Sequence, residues 1–316
     1  MGLSKLLCPP PVALEISKEV HLILITGAGG GLGRYVVAEM EAQGRPGIAV
    51  IRSAVSTSRR KVSFFTGDLR NQEWLETLFQ DFSFQKVVHL AWKREGGLVR
   101  HRRTDGENLQ LTRNLLELCR HNQVPGFVFA SSLNAGLPNK NQYAREKEEA
   151  EKMIGASDIP HKIIYRLSSL FGSGVQAYWN SLTRSAMKRK TVFLLGEKPL
   201  TFQPLYAQEA ARVILEEREG GTYYLVGPEV WSDEDLIQTM GRIRQIKLQG
   251  IRIPLKMLSM LLTPGAKFIR PLKRIQEEIR ALNQDKTYLG PDVIKGIYPY
   301  QTYLKKMAEG ELKYEK

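Results

Sequence analysis

With 316 residues, 42% of them hydrophobic and 25% charged, the chain is long and apolar enough for one large α/β domain and a smaller lobe. Two cysteines, Cys8 and Cys119, exclude a disulfide framework and a cysteine metal cluster, and they imply a reducing, cytoplasmic setting. The formal net charge of +13 points to an acidic surface, nucleic acid or a phosphorylated small molecule, or else to a basic solvated surface without a macromolecular partner.

Residues 1–19 read as a flexible arm. Pro9, Pro10 and Pro11 break a short apolar stretch that is no secretory signal, and Leu6 stands where a myristoylation motif needs Ser or Thr. No run approaches the roughly 20 apolar residues of a membrane span. From Val20 onward strands and helices alternate. Strands are expected at Val20–Ile25, Ile48–Ile51, Val62–Phe65, Lys86–Ala91, Phe127–Ser131 and Lys162–Arg166. Helices are expected at Leu32–Gln43, Asn71–Gln80, Thr104–His121 and Tyr143–Met153. This rhythm predicts a doubly wound parallel sheet with helices on both faces, over residues 20–172. After Gly172 the pattern loosens into a smaller lobe, assigned to 173–201 and 218–316, while 202–217 returns to the first domain. The lobe is expected to hold a helix over 176–189, a strand at Thr191–Leu195, a strand at Thr222–Val226 and a helix at Asp233–Ile243; a strand at Phe202–Tyr206 and a helix at Glu209–Glu217 form the returning piece.

The first strand runs into Thr26-Gly27-Ala28-Gly29-Gly30-Gly31-Leu32-Gly33. Glycines there let the backbone approach a pyrophosphate, which free N–H groups at a helix N-terminus would meet. The spacing differs from the G-x-G-x-x-G fingerprint. The second strand ends Val50-Ile51-Arg52-Ser53, without the acid that accepts from ribose hydroxyls in NAD binders. Arg52, with Arg59, Arg60 and Lys61 nearby, suits a 2′-phosphate, so NADP(H) is expected over NAD(H).

Tyr143 and Lys147 lie four residues apart and so share one helix face. A nearby ammonium stabilises phenolate and makes the tyrosine usable as an acid or base near neutrality. Ser132 sits just upstream, at the expected carboxyl end of a parallel strand, where open α/β sheets place their ligands.

These motifs, with Gly67-Asp68-Leu69, Val88-His89-Leu90-Ala91, Asn108 through Asn114-Leu115-Leu116-Glu117, Ala150-Glu151, Arg166 and Phe171-Gly172-Ser173-Gly174, resemble the short-chain dehydrogenase/reductase superfamily over about residues 20–245. The resemblance is to its extended and atypical, epimerase/dehydratase-like branch, and it implies a Rossmann domain. By position it implies Tyr143 as acid/base, Lys147 as the group that lowers the tyrosine pKa and holds the nicotinamide ribose, and Ser132 as the partner of the reacting oxygen. It further implies cofactor contacts from Gly27, Gly30, Gly31, Leu32 and Gly33, from Asp68 and Leu69 beside the adenine, and from Leu90, Ala91 and Trp92. Trp92, in place of a small residue, would narrow the cleft near the nicotinamide. The loop from Leu133 to Gln142 is short, Ser169 stands where Asn is usual, and Tyr206-Ala207-Gln208-Glu209 replaces Tyr-Val-Asp-Asp. In Ser131-Ser132-Leu133-Asn134-Ala135-Gly136-Leu137-Pro138-Asn139, Tyr143-x-Arg145-x-Lys147, Phe202-Gln203-Pro204-Leu205-Tyr206 and Gly227-Pro228-Glu229 the chain is similar to the atypical group related to the nucleotide-binding accessory subunit of respiratory complex I, which implies a cofactor held for structure.

Two functions follow as expectations. One is an NADP(H)-dependent oxidoreductase or epimerase-like enzyme acting on a small, anionic molecule; the cations Lys93, Arg94, Arg100, Arg102 and Arg103 would border its cleft, and a lone His101 among them is given no catalytic role. The other is a non-catalytic NAD(P)(H)-binding structural or sensory protein. Residues 242–274 contain no acid and many bases around an apolar core, which suits peripheral contact with a membrane or a protein partner. No specific nucleic-acid partner is expected, and the chain should be a dimer or a monomer.

Overall fold

The computed structural model describes residues 22–52, 61–93, 106–175, 178–254 and 284–311, with Met257, Glu277, Arg280 and Ala281 besides. Up to residue 167 the elements are β1 (Leu22–Thr26), α1 (Gly31–Ala42), β2 (Gly47–Ile51), β3 (Val62–Thr66), α2 (Gln72–Asp81), β4 (Phe84–His89), α3 (Glu107–His121), β5 (Gly126–Ser132), α4 (Gln142–Gly155) and β6 (His161–Leu167). Then come β7 (Leu170–Phe171), α5 (Tyr178–Lys188), β8 (Thr191–Leu195), β9 (Thr201–Phe202), β10 (Leu205–Tyr206), α6 (Ala207–Leu215) and β11 (Gly221–Val226). The last are β12 (Trp231–Ser232), α7 (Asp233–Arg244), β13 (Gln249–Ile253), β14 (Val293–Lys295) and α8 (Tyr300–Ala308).

Eight strands form one sheet in the order β14-β11-β6-β5-β4-β1-β2-β3, and every neighbouring pair is parallel. A strand covered on both faces must be apolar throughout, and Leu-Ile-Leu-Ile-Thr of β1 is buried at every position. One face packs on side chains of α2, α3 and α4, and the other on α1 and α6. Between β1 and β4 the winding reverses, the position at which open α/β sheets form a ligand crevice beyond the carboxyl ends of their strands. Cys119 belongs to the first of these cores, where burial pushes its thiol up and leaves it inert.

A third core joins α5, β8, β9, α7 and α8, with Trp179 stacked on Phe202 at 3.7 Å between ring centroids. This is the smaller lobe. Its outline differs from the sequence reading, which has no element at β12, β13, β14 or α8, and differs in two further respects. The expected strand Phe202–Tyr206 is broken by Gln203-Pro204: β9 pairs antiparallel with β12, and β10 pairs parallel with β7. Pro204 lacks a ladder donor, and the Gln203 side chain accepts from the Tyr288 N–H at 2.6 Å. The span 218–316 is also not all lobe, because β11 and β14 extend the main sheet beyond β6. Glu209, at the start of α6, fastens that edge by accepting from the Ile297 and Tyr298 N–H groups at 2.8 and 3.0 Å. No helix among the described residues is long and apolar enough to cross a membrane.

Candidate active site

Gly27 leaves β1 with a φ of +73°, a left-handed conformation that glycine adopts without strain. A Cβ there would come within 2.5 Å of the Ala91 nitrogen, so the turn lies flush against the loop leaving β4. Gly33 lets α1 close on that turn, since a Cβ would drive into the Gly27 carbonyl and reach 2.7 Å from the Ala28 Cα. Gly30 precedes α1 without a side-chain cap, and the first turn, with Gly31 and Leu32, carries no acid. Gly29 and Gly30 are exposed. The exposed turn and the positive end of the helix dipole therefore suit a diphosphate, while Gly31 lies against the Gly174 carbonyl, which a Cβ would approach to 3.0 Å.

Beyond the turn, Arg52 is exposed at the end of β2 and Asp68 follows β3. Arg70 grips the Asp68 carboxylate, with Nη2 to Oδ2 at 2.6 Å and Nε to Oδ1 at 3.0 Å. This pairing, aided by the charge of Arg52, holds the Asp68 carboxyl down at about 2. Asp68 is not the cap of α2; Asn71 is, accepting from the Trp74 N–H at 3.1 Å. Leu69 is buried against the α2–α3 core. Arg59 and Arg60 lie outside the described residues.

At the other end of the crevice, Ser132 closes β5 and caps a short 3-10 turn, Leu133–Gly136, its hydroxyl accepting from Asn134 at 3.3 Å. Asn141 caps α4, which places half-buried Tyr143 in its first turn and Lys147 one turn on. Leu90, Ala91 and Trp92 are loop rather than strand. Leu90 packs toward one core and Ala91 and Trp92 toward the other. Lys147 is only 3% exposed. Its ammonium donates to the Ala130 carbonyl at 2.7 Å and lies 3.7 Å from the Trp92 ring centroid and 4.3 Å from that of Phe129. Trp92 thus covers the lysine instead of only narrowing the cleft, and its indole N–H is buried without a hydrogen-bond partner.

Two side-chain networks behind these groups escape sequence reading. Thr26 Oγ1 accepts from Ala91 N at 3.3 Å and faces His89 Nδ1 at 2.8 Å, while His89 Nε2 faces Thr112 Oγ1 at 3.2 Å and that hydroxyl donates to the Asn108 carbonyl at 2.9 Å. Desolvation, with the nearby Lys147 charge, lowers the His89 pKa to about 3, so the ring is neutral. Asn108 donates to Glu146 at 2.9 Å and accepts from Lys93 N at 2.8 Å, a structural tie between α3, α4 and the β4 exit loop. In the second network Ser131 donates to Glu151, whose carboxylate takes Arg166 Nη2 at 2.6 Å, and Arg166 Nη1 donates to Tyr224 OH at 2.5 Å. The hydrogen bond and charge of Glu151 raise Arg166 above its ordinary pKa, against the opposing effect of burial. His89, Glu151 and Arg166 all stand in the sequence motifs, but spacing alone does not reveal their partners. Arg94, Arg100, His101, Arg102 and Arg103 fall outside the described residues.

The model of the NAD dependent epimerase/dehydratase family matches residues 23–223. A ceramide reductase of Caulobacter vibrioides is 30% identical over 158 residues, 48% of this chain and 47% of that protein. Human short-chain dehydrogenase/reductase family 42E member 1 is 30% identical over 205 residues, 55% of this chain and 52% of that protein. The chain spans about half the length of these curated relatives. Among solved structures, a Thermus thermophilus UDP-glucose 4-epimerase in complex with NAD superposes with a TM-score of 0.59 at 20% identity, covering 82% of this chain and 98% of that one. That likeness is one of fold.

Proposed function

Because the chain belongs to the NAD-dependent epimerase/dehydratase family, we propose that it is an NADP(H)-dependent oxidoreductase or epimerase-like enzyme working at a hydroxyl- or carbonyl-bearing carbon of a small, anionic molecule. One arrangement carries this reading: Ser132 at the carboxyl end of β5 and Tyr143 at the start of α4 flank the crevice that the glycine turn opens. A bound nicotinamide would supply the hydride chemistry. Tyr143 gives or takes the proton at the reacting oxygen, and Ser132 donates to that oxygen. Lys147, one turn along, favours the phenolate and grips the ribose once Trp92 turns aside. Gly27, Gly30, Gly31, Leu32 and Gly33 hold the diphosphate, Asp68 and Leu69 flank the adenine, and Leu90, Ala91 and Trp92 border the nicotinamide side. Arg52 receives the 2′-phosphate. Peripheral contact through 242–274 brings the enzyme to an anionic surface; of that span only 242–254 and Met257 are described.

A second reading, in which NAD(P)(H) is held for structure or sensing, is favoured by the burial of Lys147 under Trp92. The two readings separate on one variant. NADP is first shown to bind, and carbonyl substrates are found by oxidation of NADPH. Tyr143→Phe should then lower turnover by about 10²–10⁴-fold and leave dinucleotide affinity within about twofold. Turnover that survives the change removes Tyr143 from the chemistry. Absence of any nucleotide binding removes both readings.

A further inference from the structure

We infer that the outward face of the β8–β13 ribbon is a docking surface for an anionic membrane. The inference rests on the peripheral contact proposed above and not on the proposed chemistry. In the parallel ribbon Thr191 pairs with Gln249, Phe193 with Ile251 and Leu195 with Ile253. Directly paired residues share a face. The inward face is ordinary core: Val192 and Leu194 are buried, and Arg252 turns to Asp233 and Glu234 at 2.9 and 3.1 Å. The outward face breaks the usual alternation, because Phe193 is 55% and Ile251 41% exposed, with Leu195 and Ile253 half-buried beside them. Met257, four residues beyond β13, is 52% exposed.

Cations gather at one end of this ribbon. Lys188, Arg189 and Lys190 are exposed immediately before β8. Gln249 N donates to the Lys190 carbonyl at 2.8 Å and Arg244 to that of Arg189 at 2.8 Å, which brings Arg244 and exposed Lys247 alongside. No acid occurs between Leu236 and Gln276. The opposite end carries exposed Glu197 next to Lys198, which pairs with Asp285 at 3.5 Å. An aromatic and three aliphatic side chains beside a one-signed cluster of charge match the boundary between headgroups and acyl chains of an anionic bilayer. A nucleic acid fits less well: Leu195, Ile251 and Ile253 offer neither hydrogen bonds nor stacking to bases.

The full chain is sedimented with vesicles of phosphatidylcholine, alone or with phosphatidylserine. It should pellet only with the anionic vesicles, and added salt should weaken the binding. Phe193→Glu with Ile251→Glu should lower partitioning by more than about tenfold, and each reversal among Lys188, Arg189 and Lys190 by about fivefold. Circular dichroism checks the fold of each variant; if the paired glutamates unfold the lobe, Phe193→Ser should still reduce binding. Failure to pellet with either vesicle, or binding that survives both sets of substitutions, overturns the inference. So does an oligomer in size-exclusion chromatography that Phe193→Ser dissociates, since a second copy would then cover the face. Nucleotide binding is scored separately, so its loss would sink the enzyme reading without touching this one.

Discussion

At the β1–α1 turn the candidate surface is backbone, made by glycines whose absent side chains set the close packing of turn, helix and neighbouring loops, with Gly29 and Gly30 left exposed. At the β5–α4 end it is side chains, and the central one is covered: Lys147 is buried, bonded to Ala130 and stacked under Trp92. The contrast separates two capacities. In the proposed reading a diphosphate would meet exposed backbone, whereas a ribose would reach Lys147 only once Trp92 turns. On the proposed function, dinucleotide binding would rest on backbone at one end, and turnover on the Trp92 rotamer at the other.

The backbone half of that contrast breaks most sharply at Gly33. Gly33→Ala forces α1 away from the Gly27 carbonyl, and because backbone and not a flexible side chain is in the way, relief requires moving the helix. Overpacking of this kind costs about 3 kcal/mol. If the whole strain falls on the binding geometry, dinucleotide affinity drops more than about a hundredfold. Gly29→Ala is the control, since its Cβ would sit 3.7 Å from Ile51 Cγ2 and stability should stay within about 0.5 kcal/mol. Thermal melts and titration calorimetry of the two variants check both numbers; equal behaviour would show that the turn is not a tight cradle.

The side-chain half is sharpened at Trp92. Its ring over the Lys147 ammonium contributes about 1–2 kcal/mol, which ligand binding must displace. Trp92→Ala should therefore raise dinucleotide affinity by about tenfold while lowering the melting temperature, with Trp92→Phe between the two. A fall in affinity instead would make Trp92 a contact of the ligand and not a cover over Lys147.

What the sequence reveals follows the same divide. The parallel strands are legible because buried strands are apolar throughout, and the glycine turn because backbone approach requires glycine at fixed spacing. Ser132 and Tyr143 are legible as residues near strand and helix ends, and Lys147 by its spacing four residues after Tyr143. Their surroundings are not: nothing local says that Trp92 lies on Lys147, or that Glu151 holds Arg166 and Ser131, because those contacts join segments far apart in the chain. The membership of β11 and β14 in the main sheet is hidden for a similar reason. The pairing of β11 with β6, and of β14 with β11, depends on how the lobe returns, and Val293-Ile294-Lys295 is too short to announce itself.

The smallest effect is expected at Arg52, where the comparison reaches the adenosine end. The side chain is exposed, so water and salt screen its charge and limit what one guanidinium contributes. Arg52→Ala should lower NADP affinity by about fivefold to tenfold and leave NAD affinity nearly unchanged, because only the 2′-phosphate carries the charge that the cation meets. Asp68 should hold its low pKa in this variant, since Arg70 is the main cause of that shift and Arg52 the least. The change in selectivity would then report the lost phosphate contact and not a rearranged carboxylate. Added salt should shrink the wild-type preference toward that of the variant. An unchanged ratio of NADP to NAD affinity would assign the basic end of β2 to solvent, and the missing acid there would no longer argue for NADP.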